Sequence, residues 1–277
     1  MRSSSGVHFV ALDHVRALAA FVVFSWHFLH GRDGYPVPFD GVPAVLPLAL
    51  LDEGHTGVAL FMTLSGYLFA RLLDGKAIDH RAFLYNRCLR LAPLLVIVIA
   101  IAGLVRWAAG DSLVRYAGEI AAGLVAPTWP NGGWSIAIEL HFYAILPILL
   151  LAQRRSLWLL LAILAAALVL RMLIHAIHGE VQLLAYWTIF GRIDQFLFGM
   201  LAQRFRHRLA GRHVAAGAIA LPFLLFYAWF DHLGGFYRMD GYPSPSTLWI
   251  VLPTLEGFAY AFLIAWYDAS FAPAAHG

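Results

Sequence analysis

Residues 16–27 read RALAAFVVFSWH, an apolar run with an arginine at one end and a histidine at the other. They lie within a longer apolar stretch, residues 10–30, which has the length of about twenty residues that a membrane-spanning helix needs. Ionisable side chains inside such a helix are costly and are mostly kept for a function. The stretch therefore predicts a membrane-spanning helix in which Arg16 and His27 are functional.

The composition of the whole chain also indicates a membrane protein. Of 277 residues, 61% are hydrophobic and 13% are charged, whereas a soluble domain carries about 25% charged residues. A single cysteine, Cys88, excludes an internal disulfide and a cysteine-based metal cluster. The three excess positive charges concern membrane topology rather than nucleic acid binding.

Eight apolar stretches follow one another along the chain, with Gly, Pro and charged residues at the joins. They cover residues 10–30, 57–73, 86–107, 134–151, 156–176, 183–203, 213–232 and 247–267. The predicted fold class is therefore an all-α polytopic membrane protein of about eight transmembrane helices. We expect residues 1–277 to form one membrane-embedded domain.

The basic residues predict the orientation of these helices. With the N-terminus inside and residues 112–126 not spanning, the inner stretches hold twelve basic residues and the outer stretches four, as the positive-inside rule requires. If residues 112–126 spanned the membrane, the later basic clusters would move outside. We therefore expect both termini in the cytoplasm and a short interfacial helix near residues 112–126.

Arg16 and His27 are eleven residues apart, which is close to three helical turns and about 16 Å of rise. They are therefore expected on one face, with Arg16 toward the cytoplasm and His27 toward the outside. Two structural alternatives remain: Arg16 could extend to the inner headgroups, and His27 could bond to a neighbouring helix. The His27–His30 and His175–His178 pairs are a poor basis for a metal site, because no carboxylate follows at ligand spacing. No metal is expected.

Arg87 and Arg90 are three residues apart at the cytoplasmic start of the third span, and are therefore expected to share a helix face. Two guanidiniums on one face suit a phosphate or diphosphate, since each can form two parallel hydrogen bonds to it. The alternative is that both residues anchor the helix at the inner surface.

Glu139 follows Trp134 and Ser135 near the outer end of the fourth span. We expect it at about the depth of His27. A carboxylate there is either a buried hydrogen-bond partner or a group that orients a catalytic side chain. The two aromatic residues near it, Trp134 and Tyr143, have an ordinary alternative role in packing.

Taken in order, these motifs resemble those of the acyltransferase-3 family of integral-membrane O-acyltransferases. LDHVRALAAFVVFSWH is similar to the family's opening motif, LFMTLSGYLF to its Ser-Gly-aromatic segment, RCLR to its Arg-x-x-Arg pair and WSIAIELHFYAILP to its Trp-Ser-x3-Glu stretch. FLFGMLA is similar to a further motif. The matching residues are Asp13, Arg16, His27, Ser65, Gly66, Tyr67, Arg87, Arg90, Trp134, Ser135, Glu139, Phe196, Gly199 and Met200.

The resemblance covers about residues 9–203 and has three departures. His14 stands where a Gly is usual, and His141 stands where a Gln is common. The family usually has about ten spans, so the last two are expected to be missing from this chain.

The resemblance implies that the chain moves an acyl group, usually acetyl, from cytoplasmic acyl-CoA to a hydroxyl of an extracytoplasmic carbohydrate or glycan. It also implies a location in the bacterial cytoplasmic (inner) membrane. The expected partners are thus acyl-CoA, the glycan and membrane lipid, with no nucleic acid and no permanently bound cofactor.

The resemblance and the helix geometry together give roles to the residues. Arg87 and Arg90 are expected to hold the CoA phosphates while Arg16 guides the pantetheine arm, which extends on the order of 15–20 Å. His27 is expected to act as general base, oriented by Glu139. A transient acyl-His27 is the rival mechanism.

Other interpretations of the same residues are less consistent with the sequence. Ser65 is a poor candidate nucleophile because no base adjoins it, and a Ser-Gly pair commonly allows close helix packing. A transporter or flippase for a sugar or lipid-linked substrate would also need intramembrane charges, but the sequence shows no internal repeat. Arg192 and Asp194 do not share a helix face, which argues against a local salt bridge. A non-catalytic membrane partner is the third possibility.

Overall fold

The computed structural model describes residues 9–32, 35–36, 46–73, 76, 79–130 and 132–271. Its secondary structure is helical apart from one short antiparallel pairing, in which β1 (Gly31–Arg32) lies beside β2 (Tyr35–Pro36). The helices are α1 (Val10–His30), α2 (Ala49–Asp52), α3 (Thr56–Leu73), α4 (His80–Ala108), α5 (Leu113–Ala122), α6 (Trp134–Arg155), α7 (Leu157–His178), α8 (Gln182–Trp187), α9 (Ile189–Leu209), α10 (His213–His232), α11 (Gly235–Arg238) and α12 (Leu248–Phe271).

Long helices occupy the eight positions that the sequence predicts for spans. In the described residues, seven helices are long and apolar enough to cross a membrane: α1, α3, α4, α6, α7, α10 and α12. The eighth, α9, is equally long but more polar, and it packs in the interior mainly against α3 and α12. The prediction of an all-α polytopic membrane protein is confirmed. Because protein surrounds α9, its polar side chains Arg192, Asp194 and Gln195 find hydrogen-bond partners there.

The sixth predicted span, residues 183–203, is not one continuous helix. Thr188 has an extended backbone and separates α8 from α9. Its hydroxyl accepts a hydrogen bond from Gly191 N at 3.1 Å and donates one to Leu184 O at 2.8 Å. A threonine at such a position caps the helix that follows, which is why the break is stable.

Helices α3 and α9 cross in backbone contact. A Cβ atom on Gly66 would lie 2.0 Å from Phe196 O, and one on Gly199 would lie 2.1 Å from Thr63 O. Only glycine fits at both positions, as in other close helix crossings in membranes. The close-packing role of the Ser-Gly pair therefore holds for Gly66. The next residue, Tyr67, is also structural, because its hydroxyl donates to Asp268 Oδ2 of α12 at 2.6 Å.

The start of α1 and the end of α12 lie at the same end of the bundle. His14 Nδ1 is 3.0 Å from the Tyr267 hydroxyl. The end of α6 meets the loop after α3, where Arg154 donates to Leu73 O and Lys76 O at 3.0 and 3.1 Å. We call this the inner end, following the charge distribution, and the opposite end the outer end. Both ends of the described chain thus share one side, as predicted.

Helix α5 is the short helix predicted near residues 112–126. It packs on the outer part of α4, where the Tyr116 hydroxyl donates to Ile99 O at 2.7 Å. Arg106 of α4 pairs with Asp111 and with Glu119 of α5. Hydrogen bonding to Arg106 holds the pKa of Glu119 below its ordinary value. These contacts fix α5 against α4 at the outer end.

Candidate active site

The face of α1 that carries Arg16 and His27 is intact. The helix runs without interruption from Val10 to His30, so the two side chains lie on one face as predicted. Val23 lies on the same face, seven residues after Arg16 and four before His27. It lines two neighbouring cavities, which places this face of α1 along the wall of both.

The larger of these, which we call the outer cavity, has a volume of about 860 Å³. It is enclosed by the outer parts of α1, α3, α4, α5, α6 and α8 and by the loop between α5 and α6. Its titratable and hydroxyl-bearing lining residues are His27, His55, Arg106, Asp111, Tyr116, Glu119, Thr128, Ser135 and Tyr186. A cavity of this size, with donors and acceptors of both charges, suits a polar ligand.

His27 lines the outer cavity, and its side chain is exposed. Among the described residues its imidazole forms no hydrogen bond. Gly132, which has a left-handed backbone (φ 75°), faces it, and a Cβ atom there would lie 3.8 Å from His27 Nε2. The glycine thus leaves open space beside Nε2, which is what a base needs if it is to contact a substrate hydroxyl.

A smaller cavity of about 240 Å³ lies below the outer cavity and contains Ser65 and Glu139. The two cavities share Val23, Val58 and Ser135. We call these three residues the neck. The two cavities therefore adjoin, and the smaller one lies on the side of the outer cavity that faces the inner half of the bundle.

Glu139 does not contact His27. Its Oε1 accepts a hydrogen bond from the Ser65 hydroxyl at 3.3 Å and a short one from the Tyr143 hydroxyl. Ser65 lies nine residues into α3, so Glu139 is deeper than the predicted level of His27. The reason is that His27 is three residues from the outer end of α1, whereas Glu139 is five residues into α6, whose first turn already lines the outer cavity.

Trp134 and Ser135 form the first turn of α6 at the base of the outer cavity. The Ser135 hydroxyl donates to Gly132 O at 2.9 Å, which fixes the loop that faces His27. Trp134 is buried against Tyr186 and Trp187, with ring centroids 4.9 and 4.6 Å apart. Both predicted motif residues therefore shape the cavity that contains His27.

The two arginines of the Arg-x-x-Arg pair have different surroundings. Arg87 is half-buried over the ring of Phe69, 4.8 Å from its centroid, and its Nε has no hydrogen-bond partner among the described residues. Arg90 is exposed. Neither forms a salt bridge with a described carboxylate, whereas Arg16 pairs with Asp13. The Arg87–Arg90 pair therefore keeps donors for an anion at the inner part of α4.

One residue that sequence reasoning missed is His55, which is fully buried at the edge of the outer cavity. Its Nδ1 lies 3.2 Å from Glu53 Oε2, outside hydrogen-bond geometry. Burial raises the pKa of Glu53 to about 8 and lowers that of His55 to about 3, so both are neutral at pH 7. The only signal for this pair in the sequence is the presence of two ionisable residues just before an apolar span.

Glu53 also belongs to a group of three carboxylates, with Asp52 and Asp231, whose oxygens lie within 4.8 Å of one another. Among the described residues these are the side chains whose spacing would suit a metal ion. The raised pKa of Glu53 favours its protonated form, which is a poor metal ligand. Trp26 lines both the outer cavity and a separate cavity that contains Asp52, Glu53 and Asp231, so its side chain lies between this group and the outer cavity.

Buried charged and polar side chains away from these cavities bond to one another. Arg171 Nη2 donates to Asp194 Oδ2 at 2.7 Å, and both side chains are buried. The partner of Asp194 is thus on α7, in line with the argument against an Arg192–Asp194 bridge. Gln195 bonds Arg192 on one side and Glu256 of α12 on the other. These contacts join α7, α9 and α12 and are structural.

Residues 9–271 match the family described as an acyltransferase domain, of the acyltransferase-3 type. The chain belongs to this family. The match runs from the start of α1 to the end of α12, well beyond residue 203, where the recognisable motifs end. No curated protein and no solved structure gives a significant match. As a member of the acyltransferase-3 family with seven apolar helices long enough to span a bilayer, the protein is a membrane acyltransferase.

Proposed function

We propose that this acyltransferase moves an acyl group, acetyl in the first instance, from cytoplasmic acyl-CoA to a hydroxyl of a carbohydrate in the outer cavity. The observation that carries the proposal is the placement of His27. His27 lines a polar cavity, a smaller cavity adjoins it on the inner side, and Arg87 and Arg90 lie near the inner end of α4. Donor and acceptor thus have separate entrances to one reacting position.

The donor end is formed by Arg87 and Arg90. Arg87 and Arg90 are three residues apart on α4, and the Arg87 guanidinium lies over the ring of Phe69. Unpaired guanidiniums bind phosphates strongly because charge and hydrogen bonding act together. With the CoA phosphates held there, the pantetheine arm, on the order of 15–20 Å long, is long enough to bring the thioester along α1 to His27.

In the proposed reaction, His27 Nε2 accepts the proton of the acceptor hydroxyl as its oxygen attacks the thioester carbonyl. The C–S bond then breaks, and the imidazolium returns the proton to the departing CoA thiolate. The products are an ester and CoA-SH, and no oxidant or metal enters the balance. In the rival route Nε2 itself attacks the thioester and passes the acyl group on.

Glu139 has a different role from the one expected from the sequence, in which it orients His27 directly. Its carboxylate accepts hydrogen bonds from Ser65 and Tyr143 below the neck. We therefore propose that Glu139 fixes the positions of these side chains and gives the smaller cavity its polar surface. This role predicts a weaker effect on turnover than that of His27. Family membership supports an enzyme over the transporter alternative.

The test uses the full chain in lipid nanodiscs with radiolabelled acetyl-CoA, and with methyl glucoside or water as acceptor. His27→Ala should lower acyl transfer about 10²-fold or more, the ordinary scale for a lost general base, while acetyl-CoA binding is retained. His14→Ala is the control, since His14 is on the same helix but at the inner end beside Tyr267. Normal turnover in His27→Ala would refute the proposal.

Acid quenching during turnover separates the two routes. Label that stays on the protein and maps to His27 indicates the acyl-His27 intermediate. Label found in the product alone indicates general-base catalysis.

A further inference from the structure

A second large cavity lies beside the outer cavity and has the opposite character. It has a volume of about 730 Å³ and is formed by α6, α7, the α8–α9 junction and residues 123–126. Among its described lining residues the walls are apolar except for His141, Thr188 and the nitrogens of two indoles. We call it the apolar groove. Its volume is within the range of small-molecule sites.

The groove and the outer cavity share a wall. Trp134 and Trp187 line both, and their rings meet edge to face with centroids 4.6 Å apart. One loop borders both: residues 123–126 line the groove, and residues 127–130 and Gly132 line the outer cavity. The two spaces are therefore adjacent, as the polar and apolar parts of one amphiphilic ligand require.

The groove also opens sideways, where the protein meets lipid. Val125, Ile148 and Phe190 on its rim are 85%, 67% and 64% exposed. Inside it, His141 Nδ1 is buried and has no hydrogen-bond partner among the described residues.

From this arrangement we infer that the acceptor is an amphiphile: a carbohydrate head in the outer cavity joined to a long hydrocarbon chain in the apolar groove. The inference rests on the proposed function and names its acceptor class. A chain held in the groove keeps the head group at a high effective concentration beside His27. The chain enters from the bilayer and the head group never leaves the outer side.

The polar cavity favours a carbohydrate head over a phospholipid head. Arg106 is the arginine among its described lining residues, and it is already paired with Asp111 and Glu119. A phosphodiester would therefore find no free guanidinium. The remaining hydroxyl, imidazole and carboxylate groups suit a head group with several hydroxyls.

The test is photolabelling of the full chain in phosphatidylcholine nanodiscs, with a dodecyl glucoside whose chain ends in a diazirine. We expect labelled peptides from α6, α7 and the α8–α9 junction. In Ala166→Trp, which places an indole in the groove, this labelling should fall about tenfold. A tenfold loss of affinity corresponds to about 1.4 kcal/mol, which is within the ordinary cost of overpacking a filled site. Ala165→Trp, one residue along and off the groove lining, is the matched control. Ala144→Trp, on the α6 wall, is a second filling variant.

Three results would overturn the inference. The first is equal loss of labelling in the Ala166 and Ala165 variants. The second is labelling spread evenly over exposed apolar helices such as α4. The third is equal groove labelling by a diazirine-tailed phosphatidylcholine, which would make the groove an ordinary lipid contact. The labelling is measured without acetyl-CoA and needs no turnover, so failure of the proposed chemistry and failure of the groove assignment are separate outcomes.

Discussion

Blocking the neck between the two cavities should stop acyl transfer without preventing acyl-CoA binding. Val23 lies about 10 Å from Arg16 and 6 Å from His27 along the axis of α1. The pantetheine arm must pass it if the thioester is to reach His27. In Val23→Trp the indole occupies this path and displaces the thioester by more than 1 Å. A misplacement of that size costs about 10²-fold in rate.

The assay is release of CoA thiol by the nanodisc-embedded protein, with acetyl-CoA binding measured in parallel. Phe24→Trp is the control, because Phe24 is the next residue, 63% exposed and outside both cavities. A Cβ atom on Gly57 would lie 2.8 Å from Val23 Cγ2, so the indole could also shift α3. Val58→Phe narrows the neck from α3 instead of α1, and it leaves the contact between Val23 and Gly57 unchanged. Normal turnover in folded forms of both variants would refute the proposal that the pantetheine arm passes the neck.

Three further outcomes follow from the same geometry. Replacing both Arg87 and Arg90 by Ala should raise the acetyl-CoA dissociation constant at least about tenfold, since a charge-assisted hydrogen bond contributes roughly 1.5–3 kcal/mol. Lys at both sites should recover only part of the lost affinity. Unchanged affinity by calorimetry would indicate that both residues only anchor the helix. Burial raises the pKa of Glu53 from 4.5 to about 8, so the folded state binds this proton more tightly than the unfolded state. The free energy of unfolding should therefore fall as pH rises from about 4.5 to 8. Thermal melts should show a smaller dependence of stability on pH in Glu53→Gln. An identical pH dependence in the variant would contradict the raised pKa of Glu53. In a background without the native cysteine, a cysteine replacing Asp240 should react with an impermeant thiol reagent applied outside, and one replacing Lys76 should not. The reverse pattern would show that the helices cross the membrane in the opposite orientation.

The sequence alone determined the architecture and the shared face of Arg16 and His27 on α1. Long apolar stretches can cross a bilayer only as helices, because no water is present to satisfy the backbone. Composition and length therefore predicted the all-α polytopic fold. Within one helix the positions of side chains follow from 3.6 residues per turn, so the spacing of Arg16 and His27 is enough to place them on a shared face. Gly66 and Gly199 were visible as motif residues, but their contact with each other's helix was not.

Only the tertiary structure decided which residues meet between helices. Periodicity within a helix says nothing about its depth or its crossing angle with a neighbour, so Glu139 was expected beside His27 and is found bonded to Ser65 and Tyr143. For the same reason the Arg171–Asp194 pair, formed between α7 and α9, could not be read from the sequence. The apolar groove depends on the spacing of three helices and on the break before α9. A hydrophobic residue that lines such a groove has the same sequence signal as one that simply faces lipid, because both surroundings are apolar.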